Sequence, residues 1–99
     1  MLYRQGDIYI ARISSIPKEA REQPHCVLAE GEVTGHSHRI DRPDRATLFS
    51  HKGSLFLRVA AESATVVHEE HGPITLERGC YRVWRQREYS PEAIRIVRD

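Results

Sequence analysis

Two pairs of histidines carry the chain's most suggestive chemistry. "GEVTGHSHRI", Gly31 to Ile40, holds His36 and His38, and "HEEHGPI", about thirty positions later, holds His68 and His71. In an extended strand, residues i and i+2 project to one face, so His36 and His38 present two imidazoles together, with Gly35 and Ser37 opposite. Imidazole nitrogens suit zinc, iron, copper and nickel, and three of them with an open position form a centre that can activate water or hold a substrate oxygen. "HEEH" is not the helical zinc-protease motif, because its histidines are three residues apart rather than four and Pro73 opposes a continuing helix. At a strand end, His68 and His71 would face opposite ways unless the turn re-aims one. One of them, with a preference for the turn residue His71, is therefore expected to join His36 and His38. Glu70, or Glu69, is then a carboxylate ligand or a general base. The expected cofactor is a divalent metal ion, zinc or iron, serving an enzyme or a sensor.

A second constellation is "YRVWRQREY", in which Arg82, Arg85 and Arg87 are interleaved with Tyr81, Trp84 and Tyr89. Arginines among aromatics can hold phosphates and stack on bases. With paired histidines as acid and base near neutral pH, this gives an alternative reading: an RNA- or nucleotide-binding module, or a metal-independent ribonuclease. The whole chain has 15 Lys plus Arg against 14 Asp plus Glu, a formal charge of +1. That excludes a global basic field and leaves only a local patch. A single strand tryptophan usually anchors a core while arginines reach outward, so Trp84 is expected buried and Arg85 and Arg87 exposed.

The elements that must position these residues read as strands. "DIYIARI" and "SLFLRVA" alternate with period two, and "ATVVHEE", "PITLE", "CYRVWRQ" and "AIRIVRD" follow the same habit. Turn chemistry separates them at "KGS", "HGP", "ERG" and "YSP", and "IDRPDRA" reads as an exposed loop. The segment best suited to a helix, "PKEAREQ", Pro17 to Gln23, is too short for more than a turn or two. The expectation is an all-β chain, a single domain over 1–99, built as a small antiparallel barrel or two-layer sandwich of about eight short strands.

At 99 residues, 39% of them hydrophobic, the core is thin, and such folds often gain support from a metal or a partner. A homo-oligomer or a larger complex is thus a third reading, a non-catalytic assembly subunit pairing through edge strands such as "AIRIVRD". Cys26 and Cys80 lack any Cys-x-x-Cys spacing and read as small hydrophobes. Arg4, Gln5 and Asp7 interrupt the apolar run a signal peptide needs, and no segment approaches membrane-spanning length, which makes a cytoplasmic location the default expectation.

Gly31 with "HSH" at His36 to His38, a later histidine, and the strand–glycine–strand stretch "PITLERGCYRV" together resemble the cupin group of small β-barrels. Where cupin first motifs carry a glutamate shortly after His-x-His, this chain has Arg39, Ile40, Asp41 and Arg42. The resemblance implies a barrel with inward-facing histidines. It also implies a chemistry that in cupins ranges from dioxygenases and isomerases to metal-free binding proteins; the ligand expected for the chain is a small molecule or RNA.

Overall fold

The computed structural model describes residues 1–31 and 33–86. The expected "YSP" turn, the terminal strand "AIRIVRD", Arg87 and Tyr89 lie outside those residues. Within them the chain is all-β. One antiparallel sheet of eight strands curls into a half-barrel. The strands are β1 (Leu2–Gln5), β2 (Ile8–Ile13), β3 (Arg21–Glu22), β4 (Val27–Glu30), β5 (Ser37–Ile40), β6 (Ala46–His51), β7 (Ser54–His68) and β8 (His71–Arg85). Their lateral order is β1-β2-β8-β7-β5-β4, and β6 bridges β3 to the first part of β7. "PKEAREQ" forms a turn closed by the Ala20 N–H on the Pro17 carbonyl and then a two-residue strand against β6. "IDRPDRA" becomes a 3-10 turn at Pro43–Arg45.

The number of strands matches the sequence reading, but the partition differs. "SLFLRVA" and "ATVVH" are one 15-residue strand, β7, and "PITLE" and "CYRVWR" are another, β8. "ERG" is therefore not a turn. Gly79 lies inside β8 with φ of 151°, and a Cβ there would sit 2.6 Å from the Arg12 guanidinium. Arg12 occupies that space while donating to the Arg78 carbonyl at 2.7 Å. Glycine serves here as a close-approach site within a strand, a role that looks like a turn when only composition is read. Nor does "HGP" make the next turn: Glu69 and Glu70 form it, and His71 to Pro73 begin β8. "KGS" behaves as expected, with Lys52 and Gly53 at φ 50° and 80°, the two positive values of a tight hairpin.

The inward faces build one core. Ile8 and Ile10 of β2 meet Leu57, Val59, Val66, Leu76, Tyr81 and Val83, with Leu28, Ile40 and Leu48 closing the other side. Cys26 belongs to this core, its thiol on the Ala46 carbonyl at 3.2 Å and pushed up in pKa by burial. Along β7 the inward set is odd-numbered at Leu57 and Val59 and even-numbered at Ala64 and Val66. The change of parity falls where the β7–β8 register shifts, between Val59 and Ser63. The irregularity there turns the following side chains to the opposite face. A second shift, between Val66 and His68, has its extra residue on β8 (two steps on β7 against three from Ile74 to His71), so β7 keeps its alternation and His68 takes the inward face of Ala64 and Val66.

Candidate metal centre

All four histidines of the two pairs line one pocket of about 320 Å³, together with Gly6, Asp7, Gly31, Val33, Glu70 and Arg85. His36 sits one residue before β5 and His38 within it, so the period of two brings both to the same cavity. His38 is buried, at 2% exposure, and His36 lies partly exposed at the mouth. On the β7–β8 hairpin, His68 and His71 are directly opposed partners. Opposed residues of an antiparallel pair share a face. Both therefore reach the pocket, where a single continuous strand would have delivered only one. His68 is central: its ring lies 4.3 Å from that of His38, 4.7 Å from His71 and 5.8 Å from His36.

Hydrogen bonds fix where the protons sit. The Gln5 amide donates to the Val66 carbonyl at 3.1 Å and to the Gly72 carbonyl at 2.9 Å, which uses both N–H groups. Its Oε1 must then accept from His38 Nδ1, 2.9 Å away. His38 consequently carries its hydrogen on Nδ1 and presents the Nε2 lone pair. His36 follows the same logic, because its Nδ1 lies 2.9 Å from the Glu70 carboxylate, which can only accept. In its neutral form, His36 also keeps a lone pair on Nε2. His68 is reversed: its Nδ1 accepts the Glu70 backbone N–H at 3.0 Å, which leaves an Nε2–H donor in the neutral ring.

Among the described residues, His36, His68 and Glu69 each bring a ligand atom within 4.8 Å of the other two. Proximity is misleading for that set. Glu69 is engaged by the Ser37 N–H at 3.0 Å and by Arg39 at 2.9 Å, and the Ser37 bond in particular holds its carboxyl below the usual range. His68 has already used its Nδ1 lone pair. Of the three rings with an assigned hydrogen, His36 and His38 keep a lone pair directed at the cavity, and the His71 ring lines the same cavity.

His38 is also held neutral. Burial, followed by the neighbouring His68, lowers its pKa to about 4, and the opposing pull of Asp7 does not offset them.

Sequence reasoning missed Gln5 and Asp7 as site residues. They come from the hairpin joining β1 to β2, whose two-residue turn is Gly6–Asp7. The available signal was "QGD", three polar or turn residues at the tip of a hairpin whose second strand alternates Ile8 and Ile10. Gly6 has φ of 59°, and a Cβ there would lie 2.6 Å from His71 Nε2. Gly6→Ala is expected to displace the His71 ring and to lower stability by about 1–2 kcal/mol through the left-handed backbone alone. Urea unfolding checks the cost, and the His71 ring resonances check the displacement.

The arginines divide. Along β8 the inward face runs Tyr81, Val83, Arg85 and the outward face Arg82, Trp84. Arg85 is turned in, its side chain only 16% exposed, donating to Asp7 at 3.3 Å and to the Glu30 carbonyl at 2.7 Å. The expectation of an exposed Arg85 is thus reversed, because the strand period continues one residue past the core. Trp84 is half-buried rather than buried, stacked on Tyr9 at 5.6 Å with the Arg82 guanidinium 5.8 Å from its ring. The basic residues therefore do not form one surface: Arg82 faces outward and Arg85 faces the histidines.

A family model described as "Domain of unknown function (DUF8820)" matches residues 4–86. No curated protein and no solved structure matches the chain. No helix among the described residues is long and apolar enough to cross a membrane.

Proposed function

The chain belongs to the DUF8820 domain family, whose matched span encloses every residue of this pocket, and from the pocket's geometry we propose that it binds a divalent metal ion through His36, His38 and His71. The observation that carries this reading is the proton arrangement of the His-x-His pair. Both Nδ1–H groups are held by oxygen acceptors, Gln5 Oε1 and Glu70 Oε2, which leaves both Nε2 lone pairs at one cavity. Metal-ligating histidines characteristically donate their other ring N–H to such an acceptor, which fixes the ring and raises the basicity of the ligating nitrogen.

An imidazole-rich donor set selects zinc, iron, copper or nickel over magnesium or calcium, which prefer all-oxygen shells. Three protein nitrogens leave a position for water or a substrate oxygen, and a bound ion makes such water acidic near neutral pH. The Nε2–H of His68 is then a hydrogen-bond donor to whatever occupies that position. Glu70 acts here through His36 as its outer partner, a different role from the general base suggested by "HEEH".

Metal content and thermal unfolding of the full chain, purified without a histidine tag, test the proposal. One equivalent of zinc per chain is expected, with a rise in Tm that EDTA reverses and that His36→Ala removes. An ion at a hundredfold excess over its Kd stabilises by about 2.7 kcal/mol. Absence of stoichiometric metal, together with a Tm unmoved by added zinc, would overturn it. RNA cleavage that survives EDTA and falls steeply with salt would instead favour a metal-free pair built on His36 and Glu70.

A further inference from the structure

The first hairpin places a carboxylate opposite His38 in a way that hydrogen bonding does not explain. Asp7 Oδ1 lies 3.4 Å from His38 Nε2. The Gln5 amide has already assigned the ring hydrogen to Nδ1, so the Nε2 lone pair faces a carboxylate oxygen, acceptor against acceptor. The separation is also long for an imidazolium–carboxylate hydrogen bond, which runs about 2.7–2.9 Å. A nitrogen and an oxygen each about 2.0 Å from a tetrahedral ion, by contrast, stand about 3.3 Å apart. The geometry points to Asp7 as a metal ligand, sharing with His38 the ion proposed above. This inference rests on the metal-binding reading and adds to it the oxygen donor that neither histidine pair supplies.

The surroundings of Asp7 suit that role. Its second oxygen, Oδ2, is held by Arg85 Nη1 at 3.3 Å, and Arg85 is anchored on the Glu30 carbonyl at 2.7 Å. One oxygen is thus fixed by a cation on β8, and the other is aimed at the cavity. Asp7 sits in a tight turn whose strands are paired on to β8, so its position is set by the sheet rather than by a loose loop. A carboxylate in the donor set also lowers the net charge of a site holding a dipositive ion from +2 to +1. The result is a mixed nitrogen–oxygen shell in which Asp7 takes the position that three histidines alone leave open, so a water or substrate oxygen binds only by adding a fifth ligand or displacing the carboxylate.

The experiment is a cobalt(II) titration of the full-length protein and two variants under reducing conditions, with zinc competition for affinity. Asp7→Asn is nearly isosteric and is expected to weaken binding roughly 100-fold, the upper end of what the loss of an outer-shell partner alone causes. Asp7→Cys places a thiolate one bond short of that oxygen, a gap that the longer metal–sulfur distance of about 2.3 Å partly closes, and at saturating cobalt it is expected to give a near-ultraviolet sulfur-to-cobalt charge-transfer band absent from the wild type, which carries Cys26 and Cys80 as its own control. Wild type that binds while Asp7→Asn matches it within twofold overturns Asp7 as a ligand and leaves the metal-binding reading standing. Weakened binding in Asp7→Asn with no such band in Asp7→Cys also overturns it, since Asp7 would then act only through Arg85. If the wild type takes up neither cobalt nor zinc, both statements fall.

Discussion

Replacing Gln5 with methionine is expected to lower the unfolding free energy of the metal-free protein by about 3–4 kcal/mol, measured by urea denaturation at pH 7. Methionine nearly conserves length and volume, so the loss is one of polarity. Gln5 is 2% exposed and joins three groups that have no claim on each other: the carbonyls of Val66 and Gly72 and the Nδ1–H of His38. Leaving a buried polar group unsatisfied costs about 1–3 kcal/mol, and the Gly72 end, being exposed, can recover water. Gln5→Glu is expected to be no better at pH 7, because a second carboxylate oxygen would face the two carbonyls. A loss below about 1 kcal/mol in Gln5→Met would show that the amide does not organise the pocket.

The metal-free protein is also expected to lose about 3 kcal/mol of stability between pH 6.5 and pH 4 through His38 alone. An unfolded histidine titrates near 6.5 and this one near 4. Between those values the unfolded chain binds a proton that the folded chain refuses, so stability rises with pH across the window. Read downward, the contribution is complete above about 6.5, declines as the pH falls, and is exhausted below about 4. Burial of the ring is the main cause; of the groups facing it, His68 and His71 from the β7–β8 hairpin oppose the proton and Asp7 from the first hairpin favours it. Unfolding at several pH values in the presence of chelator, compared with His38→Asn, isolates the histidine from other acid-labile groups. An NMR titration gives an independent check. A ring inflection near 6.5 would contradict the expectation.

What could be read in the sequence followed from period two. Ile8 and Ile10 are inward and Tyr9 and Ala11 less so, as alternation requires, and the same rule brought His36 and His38 to one cavity. What could not be read depended on where that rule restarts. "HEEH" looks like a strand end with its histidines on opposite faces, yet it is a hairpin whose two arms carry them face to face. Gly79 resembles a turn and is instead a strand position that admits Arg12. Gln5 and Asp7 stand about thirty residues from His36 and His38 and more than sixty from His68 and His71, and only the curl of the sheet brings them near. Local composition holds no record of that curl. The habit of arginines to lie at the surface points Arg85 outward, whereas the odd-numbered face of Tyr81 and Val83, continued by one more step, turns it inward.

The parity change in the long hairpin behaves like a phase shift in a two-beat signal. Upstream of residues 60–63 the beat falls on Leu57 and Val59, and downstream it falls on Ala64, Val66 and then His68. Removing one residue from that interval would put the far half of β7 out of step. Thr65 and Val67 would turn toward the core, and His68 would swing to the convex side without being altered itself. The interval from Ala60 to Ser63 carries none of the pocket's side chains. It nonetheless sets the timing by which the pocket acquires its central ring, so the site is more exposed to a change in chain length there than to many changes of residue type.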